Sequence, residues 1–292
     1  MTLFDGLEAI VKRDEPLAGR TWMGIGGPAE YFVQPNDPEQ LGTVLRRCRE
    51  SSVPVRVLGG GANLLVDDSG VTGVVIHLSG EAFKTVEFAP DRLKAGAGAD
   101  LSRLVLRTVH EGLSGMECLT GIPGTVGGAV RMNAGGAFGD IGNIIEAVHL
   151  MDVDGVAFTR LRGDLVFGYR ASNISSKVVL GVELRVCEDD PHRILNQVKQ
   201  IWIYKKNTQP LGRHSAGCVF KNPRGLAAGA LIDKSGLKGH RVGGAFVSDK
   251  HANFIIADDG ARASDVLKLI NIIRETVYKR FEVYLELEIE VW

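Results

Sequence analysis

An α+β protein built from more than one unit is what this sequence predicts, and three observations carry that expectation. Helical and strand patterns alternate irregularly, with hairpin signals as well as crossover lengths. The 292 residues exceed what one hydrophobic core ordinarily organises. Hydrophobic residues make up 45% of the chain, enough for a real core in each unit.

The elements follow in order. Residues 1–20 read as a short helix and an arm. Residues 21–33 pair a Gly-rich turn with a strand. Asp37 caps a helix that has Pro38 at its first position and Glu39 in its first turn. Leu41, Val44, Leu45 and Cys48 recur at helical spacing and form its buried stripe. Residues 55–58 and 74–78 read as buried strands. Asp100 or Ser102 starts a helix that ends at Gly112. Asp154-Gly155 between two apolar runs marks a hairpin of residues 147–152 and 156–161. A further strand is expected over 177–186. Asp189-Asp190-Pro191 marks the boundary between a larger unit, 1–190, and a smaller one, 191–292. The smaller unit opens on a long helix near 194–206. It continues with a strand near Cys218, a helix through Leu231 ended by Gly236, and strands around Phe246 and Phe254. A long helix from Ser264 and a final strand over 283–291 complete it.

Charge and cysteine usage exclude several functions. The net charge of −1 provides no basic field for nucleic acid. The four cysteines lie far apart with no CxxC pair, so neither a metal site nor a disulfide framework is expected. No signal peptide and no run long enough to span a membrane is visible, which predicts a cytoplasmic protein.

Glycine is the outlier, at 37 residues. Six of the sixteen residues at 121–136 are glycine, interleaved with Ile122, Val126, Ala129, Val130 and Met132. Such a stretch is either a tight structural turn bundle or a loop whose bare N–H groups meet a diphosphate or a flat ring. Gly59-Gly60-Gly61-Ala62-Asn63-Leu64, delivered by a strand, is a second loop of this kind. Neither it nor Gly96-Ala97-Gly98 completes a Rossmann fingerprint, because Leu64 and Leu101 hold the third glycine position. There is no Walker lysine motif.

Three stretches put reactive groups in unusual surroundings. Tyr169-Arg170, after Gly168 and before Ala171-Ser172, reads as a clamp for a carboxylate or phosphate, or as an ordinary surface pair. Cys218, between Gly217 and Val219-Phe220-Lys221-Asn222, reads as a proton donor or nucleophile, or as a small buried hydrophobe. Glu286, Glu288 and Glu290 alternate with apolar residues, either as a functional carboxylate face or as a solvated edge. His251 reads as a structural loop residue.

Taken together, these stretches resemble the UDP-N-acetylenolpyruvoylglucosamine reductase (MurB) family of bacterial peptidoglycan synthesis. The resemblance runs over nearly the whole chain. It rests on Gly26-Gly27-Pro28-Ala29-Glu30, residues 58–66, Gly121 to Val130 with Met132-Asn133-Ala134-Gly135, and Tyr169 to Ser172. Residues 217–223, 232–244, 250–254 and the closing Leu285-Glu286-Leu287-Glu288 complete it. The pieces are specific as an ordered set. The resemblance implies an FAD-binding fold of the vanillyl-alcohol-oxidase (PCMH) type in two subdomains, about 1–78 and 79–190, then a C-terminal α+β substrate domain. The last strand returns toward the FAD site.

What the resemblance implies for the site is specific. Gly59, Gly60, Gly61, Ala62, Asn63 and Leu64 hold FAD together with Gly121, Pro123, Gly124, Thr125, Gly127, Gly128 and Ala129. No His lies between Val55 and Val66, so the FAD is expected to be non-covalent. NADPH gives a hydride to flavin N5. Reduced flavin then passes a hydride to the vinyl carbon of UDP-N-acetylglucosamine enolpyruvate. Arg170 stabilises the charge that spreads into the carboxylate. Glu288 falls at the family's catalytic glutamate, and Cys218 protonates the α-carbon. Tyr169, Asn222 and Lys206 meet the substrate. A monomer is expected. Two departures stand out. Most relatives have Ser at position 218, and a thiol is a more acidic donor that is also more easily oxidised. The family's substrate lysine has no clean counterpart; Thr208 stands closest, with Lys205 and Lys206 as the neighbouring cations. No Tyr-bearing insertion precedes Cys218, as in the family's shorter branch.

Overall fold

A computed structural model describes residues 3–175 and 178–292. The chain forms two compact units. The first comprises residues 1–13, 31–60 and 72–204, and the second 14–30, 61–71 and 205–292. These units cut the chain at 204/205, later than Asp190, and draw two N-terminal segments into the second. The Asp-Asp-Pro signal is instead the start of a helix: Asp190 accepts from His192 N–H at 3.0 Å at the entry to it.

Two larger sheets organise the first unit. One is ordered Val11–Pro16, Pro28–Val33, Val71–His77, Val55–Leu58, and the unit boundaries fall inside three of these strands. Val55–Leu58 runs parallel to Val71–His77. Helix α1, Pro38–Glu50, is capped by Asp37, whose carboxylate accepts from Gln40 N–H at 2.9 Å. It buries Leu41, Val44, Leu45 and Cys48 in one cluster with Val74 and Ile76 of the sheet. Among the described residues of 1–20 the expected helix is not formed; a strand, Val11–Pro16, and two short 3-10 turns take its place. This strand is the edge of its sheet, where a charged sequence is tolerated because one side stays in water.

The second sheet is ordered Ala157–Leu161, Ile145–Met151, Val178–Arg185, Arg92–Gly96, Val86–Phe88. The hairpin at Asp154-Gly155 forms, with Gly155 at φ +74° and the Asp152 carboxylate accepting from Asp154 and Val156 N–H. The strand expected from Lys177 begins at Val178, and Lys177 lies outside the described residues. Val86–Phe88 and Arg92–Gly96 have no counterpart in the sequence reading, because at three and five residues they are too short for their alternation to stand out. Helix α2, Leu101–His110, is capped by Asp100. Helix α3, Val126–Arg131, lies within the Gly-rich stretch and buries Val126, Ala129 and Val130. Helix α4, Pro191–Thr208, follows.

The second unit packs helices α5, Ala228–Lys234, and α6, Ala263–Phe281, with a sheet ordered Arg241–Val242, Ala245–Val247, Ile255–Ala257. Val266, Leu269, Ile270, Ile273 and Val277 of α6 are its core, with Leu267 only partly buried. Asp68 caps α6 from 195 residues away, accepting from Ala263 N–H at 2.7 Å and Ser264 N–H at 3.1 Å. The final strand is shorter than 283–291. Only Glu290–Val291 forms a ladder, parallel to Leu64–Leu65. Glu282 at φ +56° ends α6, and the chain then runs extended with one bridge, at Leu287.

Candidate active site

In the first unit the two Gly-rich loops meet. A methyl group on Gly60 would lie 2.6 Å from Gly124 Cα, and one on Gly59 would lie 2.8 Å from Thr125 Oγ1. Glycine at 59 and 60 is therefore what allows the first loop to reach the second. The N–H groups of α3 are already taken. Val126 donates to the Ala99 carbonyl at 3.0 Å, Gly127 to Ala97 at 2.8 Å, and Ala129 to Thr125 at 3.0 Å. Gly128 donates to Thr125 Oγ1 at 3.4 Å. This corrects the expectation that residues 121–128 as a whole present donors to a diphosphate. Among the described residues of the two loops, the N–H groups of Gly59, Gly60, Gly121, Gly124 and Thr125 here, and of Gly61, Ala62 and Asn63 in the second unit, have no protein acceptor. Gly127 serves packing instead, since a methyl group there would lie 2.8 Å from Ala97 Cβ.

Arg170 stands on a separate hairpin that the 121–136 stretch braces. Phe167–Gly168 pairs with Ala171–Ser172, so Tyr169 and Arg170 are the two turn residues of a hairpin. Arg170 has φ +53°, uncommon for a residue with a side chain. The hairpin is held from outside. Asn133 Nδ2 donates to the Gly168 carbonyl at 2.8 Å, and its Oδ1 accepts from Gly142 N–H at 3.0 Å. Ser172 Oγ donates to the Arg131 carbonyl at 3.0 Å. Asn133 is buried and itself at φ +44°. It is a positioning residue that the sequence reading passed over; its place just after α3, in Met132-Asn133-Ala134-Gly135, is the signal that could have found it. The Arg170 guanidinium lies 5.4 Å from the Tyr169 ring centroid, and Tyr169 is exposed.

In the second unit Cys218 and Glu288 stand on adjoining segments. Val219 N–H donates to the Asn253 carbonyl at 2.8 Å, and Glu288 N–H donates to the Val219 carbonyl at 2.8 Å. Lys221 N–H donates to Glu286 at 2.9 Å. Cys218 bridges Phe254 on one side, and Phe220 bridges Leu287 on the other. Buried Asn253 fastens this layer: its Oδ1 accepts from Phe220 N–H at 3.0 Å and its Nδ2 donates to the Phe220 carbonyl at 2.8 Å. Asn63 Nδ2 donates to the Glu288 carbonyl at 3.0 Å, which ties the first Gly-rich loop's end to the carboxylate's backbone. The alternation over 285–289 holds, with Leu285 and Ile289 buried.

The remaining candidates have structural partners. Asn222 Oδ1 accepts from Ala228 N–H at 3.0 Å, at the start of α5. Lys206, exposed in the last turn of α4, offers its carbonyl to Lys250 Nζ. His251 Nδ1 accepts from Asn253 N–H at 3.2 Å, and its ring meets Phe254 edge-on at 4.9 Å. Burial pushes its pKa below the usual 6.5, with Lys238 adding to the effect, so it is neutral at pH 7. That agrees with a structural histidine. Among the described residues, no group of three or more His, Cys, Asp or Glu could hold a metal ion. No helix among them is long and apolar enough to cross a membrane.

Comparison with known proteins places this geometry. Residues 29–159 match the profile of an FAD binding domain. Residues 209–292 match that of the UDP-N-acetylenolpyruvoylglucosamine reductase C-terminal domain. A UDP-N-acetylenolpyruvoylglucosamine reductase of Syntrophobacter fumaroxidans is 44% identical, over 96% of this chain and 83% of its own. One of Anaeromyxobacter is 45% identical, over 96% of this chain and 88% of its own. The crystal structure of the Thermus caldophilus enzyme superposes with a TM-score of 0.83 at 42% identity, covering 97% of this chain and 98% of that one. On these grounds the chain belongs to the UDP-N-acetylenolpyruvoylglucosamine reductase (MurB) family.

Proposed function

We propose that this chain is an FAD-dependent oxidoreductase that reduces UDP-N-acetylglucosamine enolpyruvate to UDP-N-acetylmuramate in peptidoglycan synthesis, with NADPH as co-substrate. The observation that carries the reading is the threading of the Cys218 segment between Asn253 and Glu288, which sets a thiol and a carboxyl on neighbouring backbone.

The residues present suit FAD. Glycines at 59 and 60 leave no side chain between two touching loops, and unspent N–H groups remain at Gly60, Gly124 and Thr125. Those donors, with Gly61, Ala62 and Asn63, would hold the cofactor non-covalently; Leu64, Gly121, Pro123, Gly127, Gly128 and Ala129 would shape its surroundings. When bound, FAD supplies the hydride-transfer chemistry.

Every other role falls to side chains of this chain. Arg170 holds the substrate carboxylate and meets the negative charge that grows there, its hairpin fixed by Asn133. The Cys218 thiol delivers a proton to the α-carbon, and a thiol does so more readily than a hydroxyl because it is the stronger acid. Glu288 supports the reacting group by hydrogen bonding. Tyr169, Asn222 and Lys206 orient the nucleotide sugar. The enzyme works in the cytoplasm as a monomer. The test is the spectrum of the purified protein. A flavin absorbance bleached by NADPH and restored by the enolpyruvyl substrate is expected; a colourless protein, or a bleached one that the substrate does not reoxidise, overturns the reading.

A further inference from the structure

Trp22 stands on a turn of the second unit that is clamped from both sides. Its N–H donates to the Gly61 carbonyl at 3.0 Å, and its own carbonyl accepts from Ser215 N–H at 3.1 Å. Buried Thr21 donates from Oγ1 to the Ile25 carbonyl at 3.1 Å, and Gly24 N–H donates to the Thr21 carbonyl at 3.2 Å. The neighbours fit closely. A side chain at Gly61 would run into the backbone of Arg20 and Thr21, and a methyl group on Gly24 would lie 3.0 Å from His214 Nδ1. The backbone of the turn is therefore fixed, yet Trp22 is 49% exposed. An indole on a fixed backbone has only two torsions left to order, so it offers a flat apolar face at little entropic cost.

What adjoins the turn selects the ligand. On one side are the N–H groups of Gly61, Ala62 and Asn63, which have no protein acceptor and are donors proposed above for FAD. On the other, Ser215-Ala216-Gly217 leads to Cys218. A flat ring lying between the cofactor's donors and the thiol at which the reaction ends is the isoalloxazine. Ser215 supplies an independent sign. It is 7% exposed, and its Oγ has no hydrogen-bond partner among the described residues. Leaving a buried hydroxyl unbonded is costly, so this one marks the place of a polar group that arrives with a ligand. The isoalloxazine has such groups along one edge, as carbonyls and a ring N–H.

We infer that Trp22 and Ser215 form the seat of the isoalloxazine, the indole lying against the ring plane and the hydroxyl bonding its polar edge. The inference rests on the FAD-dependent reading above. The test titrates FAD into the full-length protein freed of cofactor, for the wild type and for Trp22→Phe, Trp22→Leu and Ser215→Ala. Flavin emission, flavin absorption and the dissociation constant are read together, without turnover. Indole is readily oxidised and quenches an excited flavin that it touches; a phenyl ring stacks without quenching. Trp22→Phe is therefore expected to keep the FAD affinity and to brighten the bound flavin severalfold. Trp22→Leu should brighten it too, and raise the dissociation constant roughly 3- to 10-fold, the worth of one aromatic contact. Ser215→Ala should shift the flavin absorption maximum and raise the dissociation constant roughly 3- to 10-fold, the worth of one hydrogen bond. Calorimetry with UDP should give one affinity for all four proteins. Thermal midpoints of the cofactor-free proteins, expected to agree, separate the seat from a folding defect, and Trp22→Phe carries the test should Trp22→Leu not fold. Equal emission from the wild type and both Trp22 variants, a loss confined to UDP, or a Ser215→Ala variant that matches the wild type in spectrum and affinity would each overturn the seat. A wild type that takes up no FAD would strike the reductase reading itself, whereas bound FAD with unmoved emission strikes the seat alone.

Discussion

Cys218 and His251 show how differently two reactive side chains can be used a few residues from the same backbone bridge. Cys218 is the proposed proton donor, so Cys218→Ser should keep much of the overall activity. Cys218→Ala should leave flavin bleaching by NADPH intact and slow reoxidation by the enolpyruvyl substrate by roughly 10²- to 10⁴-fold, measured by stopped-flow absorbance. Normal reoxidation in the alanine variant would remove Cys218 from the mechanism. His251 is instead held neutral by burial. Its unfolded form takes up a proton near pH 6.5 while the folded form resists until lower pH. The unfolded state then binds more protons, so stability should fall as pH drops below about 6.5 and level off below the folded value. Urea midpoints across that range should show the slope, and His251→Phe should flatten it. At this scale the candidate reactive residues stood out in the sequence but their supports did not. Tyr169-Arg170 and Cys218 stood out by composition. Asn133 and Asn253 did not, because their work is to bond backbone groups 35 and 33 residues distant.

Elements were legible where a local signal starts or stops them. Asp37-Pro38 marks the start of α1, Asp100 marks α2, and Asp154-Gly155 marks a hairpin turn. The strands Val86–Phe88 and Arg92–Gly96 were missed, since Arg92–Gly96 is set in its sheet by Val178–Arg185, from far along the chain, and Val86–Phe88 pairs only with Arg92–Gly96. Helix α6 shows the same limit at its N-terminus. Its first N–H groups bond Asp68, whose pKa is raised by partial burial but lowered more by those N–H bonds from Ser264 and Ala263. Asp68→Ala should therefore destabilise the protein by about 1 kcal/mol, the usual worth of an N-cap, in chemical denaturation at pH 7. A change smaller than the error of such a curve would mean that water replaces the carboxylate at no cost.

The whole molecule was legible as class and as sequence of parts, and less so as partition. The α+β character follows from mixed periodicities, but nothing local at Asp14 or Gly61 announces that these segments join a unit whose bulk begins at Lys205. Such a unit is assembled by backbone pairing over the longest separations in the chain. Leu64–Leu65 pairs with Glu290–Val291, Asp67 N–H donates to the Trp292 carbonyl at 2.7 Å, and Trp292 N–H donates to Leu65 at 2.9 Å. Deleting residues 289–292 should lower the thermal midpoint and release flavin on gel filtration; an unaltered midpoint with flavin retained would show the ladder to be dispensable.

That ladder also has a consequence for biosynthesis. Residues 61–71 are made early, yet their strand partner lies far later in the chain, and a nascent chain keeps its newest stretch inside the exit tunnel. The edge at Leu64–Leu65 must therefore wait unpaired, open to chaperones, until Glu290–Val291 has been made and has emerged.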